Sequence, residues 1–186
     1  MEAAVNPTTR LVITASMLVL LGACGAPPAT TTKAPTTALP PSSAINPADA
    51  ARNEAVAVYL KMWSVFFSAG STSDWQSPTL GQHAVGTALN KLTDGLRRDR
   101  DRGVVTKGEP THDTSVSSME PPVDPKKVVV RDCSDSSNAL KYRADNGERV
   151  GNTPGGRQRI DAIVEKQLDG VWKVSDFGVH EVGSCD

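Results

Sequence analysis

Asp176 and His180 lie four residues apart near the end of the chain, a carboxylate and an imidazole of the kind that exchange protons, with Tyr59, Asp132 and Tyr142 as possible partners. A proton relay needs its members within hydrogen-bond reach of one another. Four positions along a strand share a face but stand about 13 Å apart, so Asp176 and His180 cannot form a directly bonded dyad. Taken singly, His180 reads as a solvated hairpin residue, Asp132 as a turn cap and the two tyrosines as core. His83 falls on the polar arc of a helix near Asn90 and Asp94 and is expected to face solvent, whereas His112 has no clear face. The thiols Cys24, Cys133 and Cys185 show no CxxC spacing and no clustered histidines, so neither a zinc site nor a redox motif is expected, and no metal or cofactor is assigned. A formal net charge of -1, with both signs interspersed, leaves no basic stripe to neutralise phosphates, so nucleic acid is not an expected partner. The alternating run from Arg97 to Arg102 reads as a solvated helix end whose arginines face the negative pole of the macrodipole.

The elements that must position these groups occupy residues 46–186, one domain's worth of chain. Asn46 followed by Pro47 is a helix start, and Ala51, Ala55, Val58, Tyr59, Met62, Trp63 and Phe66 recur at helical spacing as far as Gly70. A second helix is expected from Ser77-Pro78 to near Gly103 on Leu80, Ala84, Ala88, Leu89, Leu92 and Leu96, weakened by Gly81, Gly86 and Gly95. Trp75, between the two, is expected to plug the helix packing. After Gly103 the period shortens toward two: a long strand over 104–119, a Val-rich strand over 126–133, a short one over 139–144, and a hairpin from Arg157 through Asp169-Gly170 to Val182. With Gly170 left-handed, Trp172, Val174 and Asp176 fall opposite Lys166, Val164 and Ala162; a two-residue turn pairs them differently. Helices first and an antiparallel sheet afterwards indicate the α+β class, with the N-terminal helices packed in the concave face of a curved sheet.

Upstream of the domain, the apolar run Leu11 to Leu21 ending in Leu21-Gly22-Ala23-Cys24 resembles a bacterial lipoprotein export signal with its lipobox. The run is about half of the roughly 20 residues a membrane-spanning helix needs, which favours a secretion signal over an uncleaved anchor. The resemblance implies a signal peptide over 1–23, a Cys24 that carries diacylglyceryl and further acyl chains such as palmitate, and a chain on the outer face of the plasma membrane. Residues 24–45 are Pro, Thr, Ala and Ser with almost nothing to bury, a disordered tether by composition. With Cys24 lipidated, Cys133 and Cys185 remain as an even pair in an oxidising compartment and read as one disulfide; two free buried thiols are the alternative.

Val130 to Ser136, the hairpin Asp169 to Val174 and the terminal Cys185 together resemble exported actinobacterial lipoproteins of the nuclear transport factor 2-like fold. That resemblance implies a cone, a bent sheet wrapped on helices, often with an internal pocket and with a sheet face free for a homodimer. It leaves two classes of function. One is a non-catalytic surface module that binds an envelope protein or an apolar ligand, with prophage-encoded immunity (superinfection exclusion) as a specific role. The other is a pocket enzyme, because the cone also hosts ketosteroid isomerase and polyketide cyclases of the SnoaL type, whose base would here be sought at Asp176, His180 or Tyr142. None of these matches the family's catalytic pattern residue by residue, so the expectation is a binding module and not an enzyme.

Overall fold

The computed structural model describes residues 46–152 and 155–185; the signal segment, Cys24 and the 24–45 tether lie outside the described residues. Helix α1 runs Pro47–Gly70, α2 Leu80–His83 and α3 Gly86–Asp101, followed by strands β1 Val104–Lys107, β2 Thr111–Glu120, β3 Lys127–Asp135, β4 Leu140–Arg143, β5 Arg157–Lys166 and β6 Trp172–Val182. The start of α1 is as read: the Asn46 side chain accepts from the Ala48 N–H at 3.0 Å, and Pro47 fills the first turn, where a missing N–H costs nothing.

β2, β3, β5 and β6 form a four-stranded antiparallel sheet in that order, and β1 pairs with β4 in a separate two-stranded one. α1 packs against all four strands of the larger sheet, while α3 packs on β6 and β1. The inward row Val128, Val130, Ile160, Ala162, Val164, Trp172 and Val174 is buried against Ala55, Tyr59, Met62 and Leu92 of the helices. Three β-bulges, at Val116/Ser118, Gln158/Ile160 and Ile163/Val164, interrupt the ladder. Each adds a residue to one strand and bends it, which curves the sheet around the helices. This is the α+β arrangement of helices in a curved antiparallel sheet that the sequence indicates.

Two long elements are each broken in two. The helix expected from residue 77 to 103 stops at His83: Ala84 and Val85 are extended, Val85 donates its N–H to the Val174 carbonyl at 2.9 Å, and Gly86 takes φ +57° to restart the helix. Leu80, Ala88, Leu92 and Leu96 remain buried, so the apolar pattern survives a break that covers part of the free edge of β6. The strand expected over 104–119 is divided at Gly108, which has φ +83°. A Cβ there would lie 2.0 Å from the Asn138 carbonyl oxygen, so only glycine permits the crossing from one sheet to the other.

After β6 the chain turns at Gly183 and folds back across the end of β5. The Gly183 N–H donates to the Arg157 carbonyl at 2.7 Å, the Arg159 N–H to Ser184 Oγ at 2.9 Å, and Cys185 is disulfide-bonded to Cys133 of β3 with the Cα atoms 5.5 Å apart. The Arg97 to Arg102 run is the exposed end of α3, except that Asp99 turns inward and pairs with Lys141 of β4.

Candidate functional site

The polar centre of the domain is a Tyr–Asp–His network inside the helix-on-sheet layer. Alternation along β3 places Asp132 on the same inward row as Val128 and Val130, opposite Thr114 and Ile160, where it is fully buried. It is an interior strand residue and not the turn cap expected. Such a carboxyl must be satisfied from within. Tyr59, from the middle of α1, donates its hydroxyl to Asp132 Oδ2 at 2.8 Å; His112 Nδ1 lies 2.6 Å from the same oxygen; and the Asp113 N–H donates to Oδ1 at 2.9 Å. Burial, and then the charge of Asp132, push the Tyr59 phenol far above its ordinary pKa.

An imidazole held at Nδ1 by a carboxyl and a phenol within one network are parts that acid–base catalysis uses. Substrate also needs room beside them. Beside His112 the Trp63 ring stacks at 6.5 Å and 24°, and it packs against Phe177 at 5.2 Å, Phe66 at 5.7 Å and Phe67 at 6.1 Å, while a cavity of about 300 Å³ lined by Asp113, Arg131, Asp132 and Arg159 reaches the carboxyl-bearing residue from the other side. A cleft of about 480 Å³ between α1 and the edge strand β2 is lined by Arg52, Val56, Leu60, Thr114 and Val116, but neither Tyr59 nor His112 lines it.

Of the residues singled out for proton transfer, Tyr59 and Asp132 are brought together, whereas Asp176, His180 and Tyr142 each find other partners. The bulge at Ile163/Val164 puts Asp176 opposite Ile163 instead of Ala162 and turns Phe177 inward in its place. The pairs Trp172–Lys166 and Val174–Val164 are as the left-handed Gly170 predicts, so the register holds up to the extra residue and shifts beyond it. Asp176 is left on Lys91 at 2.8 Å, with its own carboxyl held low first by that hydrogen bond. Tyr142 belongs to the smaller sheet, beneath the Lys107 ammonium at 4.8 Å. His180 is half-exposed on the outer sheet face, where its Nε2 lies 3.0 Å from Asp161. His83 is half-buried, not free in solvent, and burial lowers its pKa first, with Lys61 and Lys173 adding to the effect. Trp75 packs against the core as a plug. Among the described residues, no group of three or more His, Cys, Asp or Glu side chains is arranged to hold a metal, and no helix is long and apolar enough to cross a membrane.

No protein-family model matches the chain, and no curated protein matches it in sequence. Among solved structures it is similar to the intermembrane space region of the chloroplast protein ARC6, at 18% identity over 72% of this chain and 96% of that one, with a TM-score of 0.49. It is also similar to a ketosteroid isomerase-like protein from Erwinia carotovora atroseptica, at 10% identity over 68% and 92% with a TM-score of 0.41, and to a protein from Catenulispora acidiphila, at 13% over 71% and 91% with a TM-score of 0.41.

The outer face of the sheet carries a second charged cluster, on Asp161. Arg131 Nε at 2.9 Å, His180 Nε2 at 3.0 Å and Arg159 Nε at 3.2 Å surround its carboxyl. Partial burial alone would raise the Asp161 pKa, but the Arg131 hydrogen bond and charge, the His180 hydrogen bond and the charge of Arg159 outweigh it and hold the group low. A depressed pKa in the fold means that Asp161 contributes stability above its unfolded value near 3.9, and that this contribution is lost as pH falls through the folded value. Asp161→Asn is therefore expected to flatten part of the fall in thermal midpoint below about pH 4, read by circular dichroism. Asp124→Asn is the comparison, because Lys126 lowers that carboxyl at a fully exposed site where solvent screens the effect.

His112 is the functional-looking residue that sequence reading missed. A signal was present: His112, Thr114 and Val116 alternate along β2, and Val128, Val130 and Asp132 alternate along β3, so period two alone puts an imidazole and a carboxyl on the inward face.

Proposed function

We propose that this is a non-catalytic binding module, carried on the outer face of the plasma membrane by a lipidated Cys24 and joined to it through residues 24–45. The observation that supports the reading is the packing around the network: Tyr59, His112 and the Asp113 N–H converge on the fully buried Asp132, and Trp63 packs over His112 and against Phe66, Phe67 and Phe177. The recognised ligand is an envelope protein or an apolar molecule met at the surface, and a second copy of the chain is a further partner through the outer sheet face. Superinfection exclusion is the specific role we assign if the gene lies within a prophage.

Intact mass of the matured chain tests the anchor. The expected result is a diacylglyceryl Cys24 at the new N-terminus, with the domain sensitive to protease added outside whole cells and Cys24→Ser releasing it from the membrane. An unacylated chain in the cytosol overturns the reading. The pocket-enzyme reading draws on a different observation, the imidazole held by Asp132, and makes the opposite prediction for His112→Asn: loss of turnover, where the module reading expects crosslinked partner capture to be unchanged.

A further inference from the structure

We propose that the end of the domain where α1 begins docks on the bilayer interface itself, with the side chains of Leu168, Val171 and Val123 seated among the lipid headgroups and upper acyl chains; this rests on the lipid-anchor reading above. The topology gathers these residues. β3 begins where β5 ends, Lys127 opposite Glu165, and β6 begins opposite Lys166, so the β2–β3 and β5–β6 connections leave the sheet at one end. The Lys166 N–H donates to the Lys126 carbonyl at 2.8 Å and ties the two connections together. α1 starts there too: Pro47, Ala50, Asp124, Pro125, Lys166 and Trp172 line one small cleft.

This end displays apolar side chains where a water-soluble domain gains nothing from them. Leu168 is fully exposed, Val123 is 80% exposed and Val171 is 48% exposed, three of the six exposed large hydrophobics among the described residues. Leu168 is presented by a fixed turn. Gln167 receives the Gly170 N–H at 2.9 Å and donates its own N–H to Val171 at 2.8 Å, while Asp169 Oδ1 accepts from the Val171 N–H at 3.0 Å and Gly170 takes φ +85°. Exposed Lys126 and Lys166 flank this rigid apolar tip, Lys126 paired with Asp124 at 2.7 Å, Lys166 over the Trp172 ring at 5.8 Å, and Asp169 beside Leu168; the lysine stems can lie along hydrocarbon while their polar heads stay in water, which suits a membrane interface.

Where the outside chain ends identifies the occupant. Residue 45 precedes Asn46 directly, so the 22 residues from Cys24 to residue 45 join the domain at this end. A flexible coil of that length would span about 25 Å, which keeps this end within reach of the lipid at an effective concentration of order millimolar. At that concentration a contact too weak to recruit a free protein is populated.

The test uses the full lipidated chain, reconstituted into phosphatidylcholine–phosphatidylglycerol vesicles with brominated acyl chains, as the Leu168→Trp variant read against the wild-type tryptophan background. Val182→Trp, an exposed site at the opposite end of β6, is the comparison. The expected result is bromine quenching of the added tryptophan at 168 by about twofold with a blue-shifted emission, and no quenching of the one at 182. Co-flotation with the vesicles but no quenching at 168, as a protein-facing tip would give, overturns the docking and leaves the anchor standing. Equal quenching at both positions overturns an oriented contact. Failure to co-float overturns the anchor and the docking with it. Val171→Trp repeats the measurement from a second position, and quenching there with none at 168 likewise overturns the stated orientation.

Discussion

Removing the Cys133–Cys185 bond, by Cys133→Ser with Cys185→Ser or by reductant, is expected to cost about 4 kcal/mol of stability and to lower the thermal midpoint by roughly 10 °C. The partners are 52 residues apart, and the closed loop holds β4, β5, β6 and their connections. Most of the expected effect lies in the unfolded chain, which the cross-link denies much of its freedom. The rest is local. Beyond β6 the tail is held by the Gly183 N–H on Arg157, by Ser184 Oγ and by the bond itself, and the Arg157 guanidinium lies 3.2 and 3.3 Å from Cys133 Sγ. Urea unfolding of the oxidised and doubly substituted proteins measures the difference directly. A change under about 1 kcal/mol would mean that the reduced unfolded chain keeps structure over 133–185. The same number bears on location, since a fold that draws this much from one disulfide is maintained in an oxidising compartment and weakened in a reducing one.

Helix and strand existence was legible because burial imposes its period on residue type. Ala55, Tyr59, Met62 and Val128, Val130 are where an amphipathic helix and a half-buried strand place them, and the first pairs of the β5–β6 hairpin follow from a left-handed Gly170. What the sequence did not reveal are local departures whose causes lie elsewhere in the fold. The break at Ala84-Val85 is bonded to Val174, some ninety residues on, and Gly108 is required by the approach of Asn138. A bulge has no strong signature of its own, yet one extra residue at Ser175 exchanges Asp176 for Phe177 on the inward face, and with it the polarity of the interior. The candidate site suffered from the same limit. An aspartate in a Val-rich strand was read as a turn residue because its partners, Tyr59 and His112, are 73 and 20 residues distant and only the folded sheet unites them.

Asp132→Ala is expected to destabilise the domain by about 3–5 kcal/mol, because it strands a buried phenol, a backbone N–H and an imidazole that all converge on one carboxyl. Tyr59→Phe removes a single donor and leaves Asp132 with two, so its expected cost is smaller, about 1–2 kcal/mol. The two losses should not add: once Asp132 is gone the Tyr59 hydroxyl has nothing to bond, and the double variant is expected to be little worse than Asp132→Ala alone. pH gives an independent reading of the same contact. Burial and Asp132 raise the Tyr59 pKa in the fold, so its contribution is fully present below the unfolded value near 10 and is lost as pH rises through the folded one. The wild type should therefore lose thermal midpoint above about pH 10, and Tyr59→Phe should lose less. A midpoint insensitive to both substitutions would separate the network from the fold's stability and return it to the catalytic reading, since three polar groups gathered in an apolar interior at no gain in stability would need a functional reason to be there.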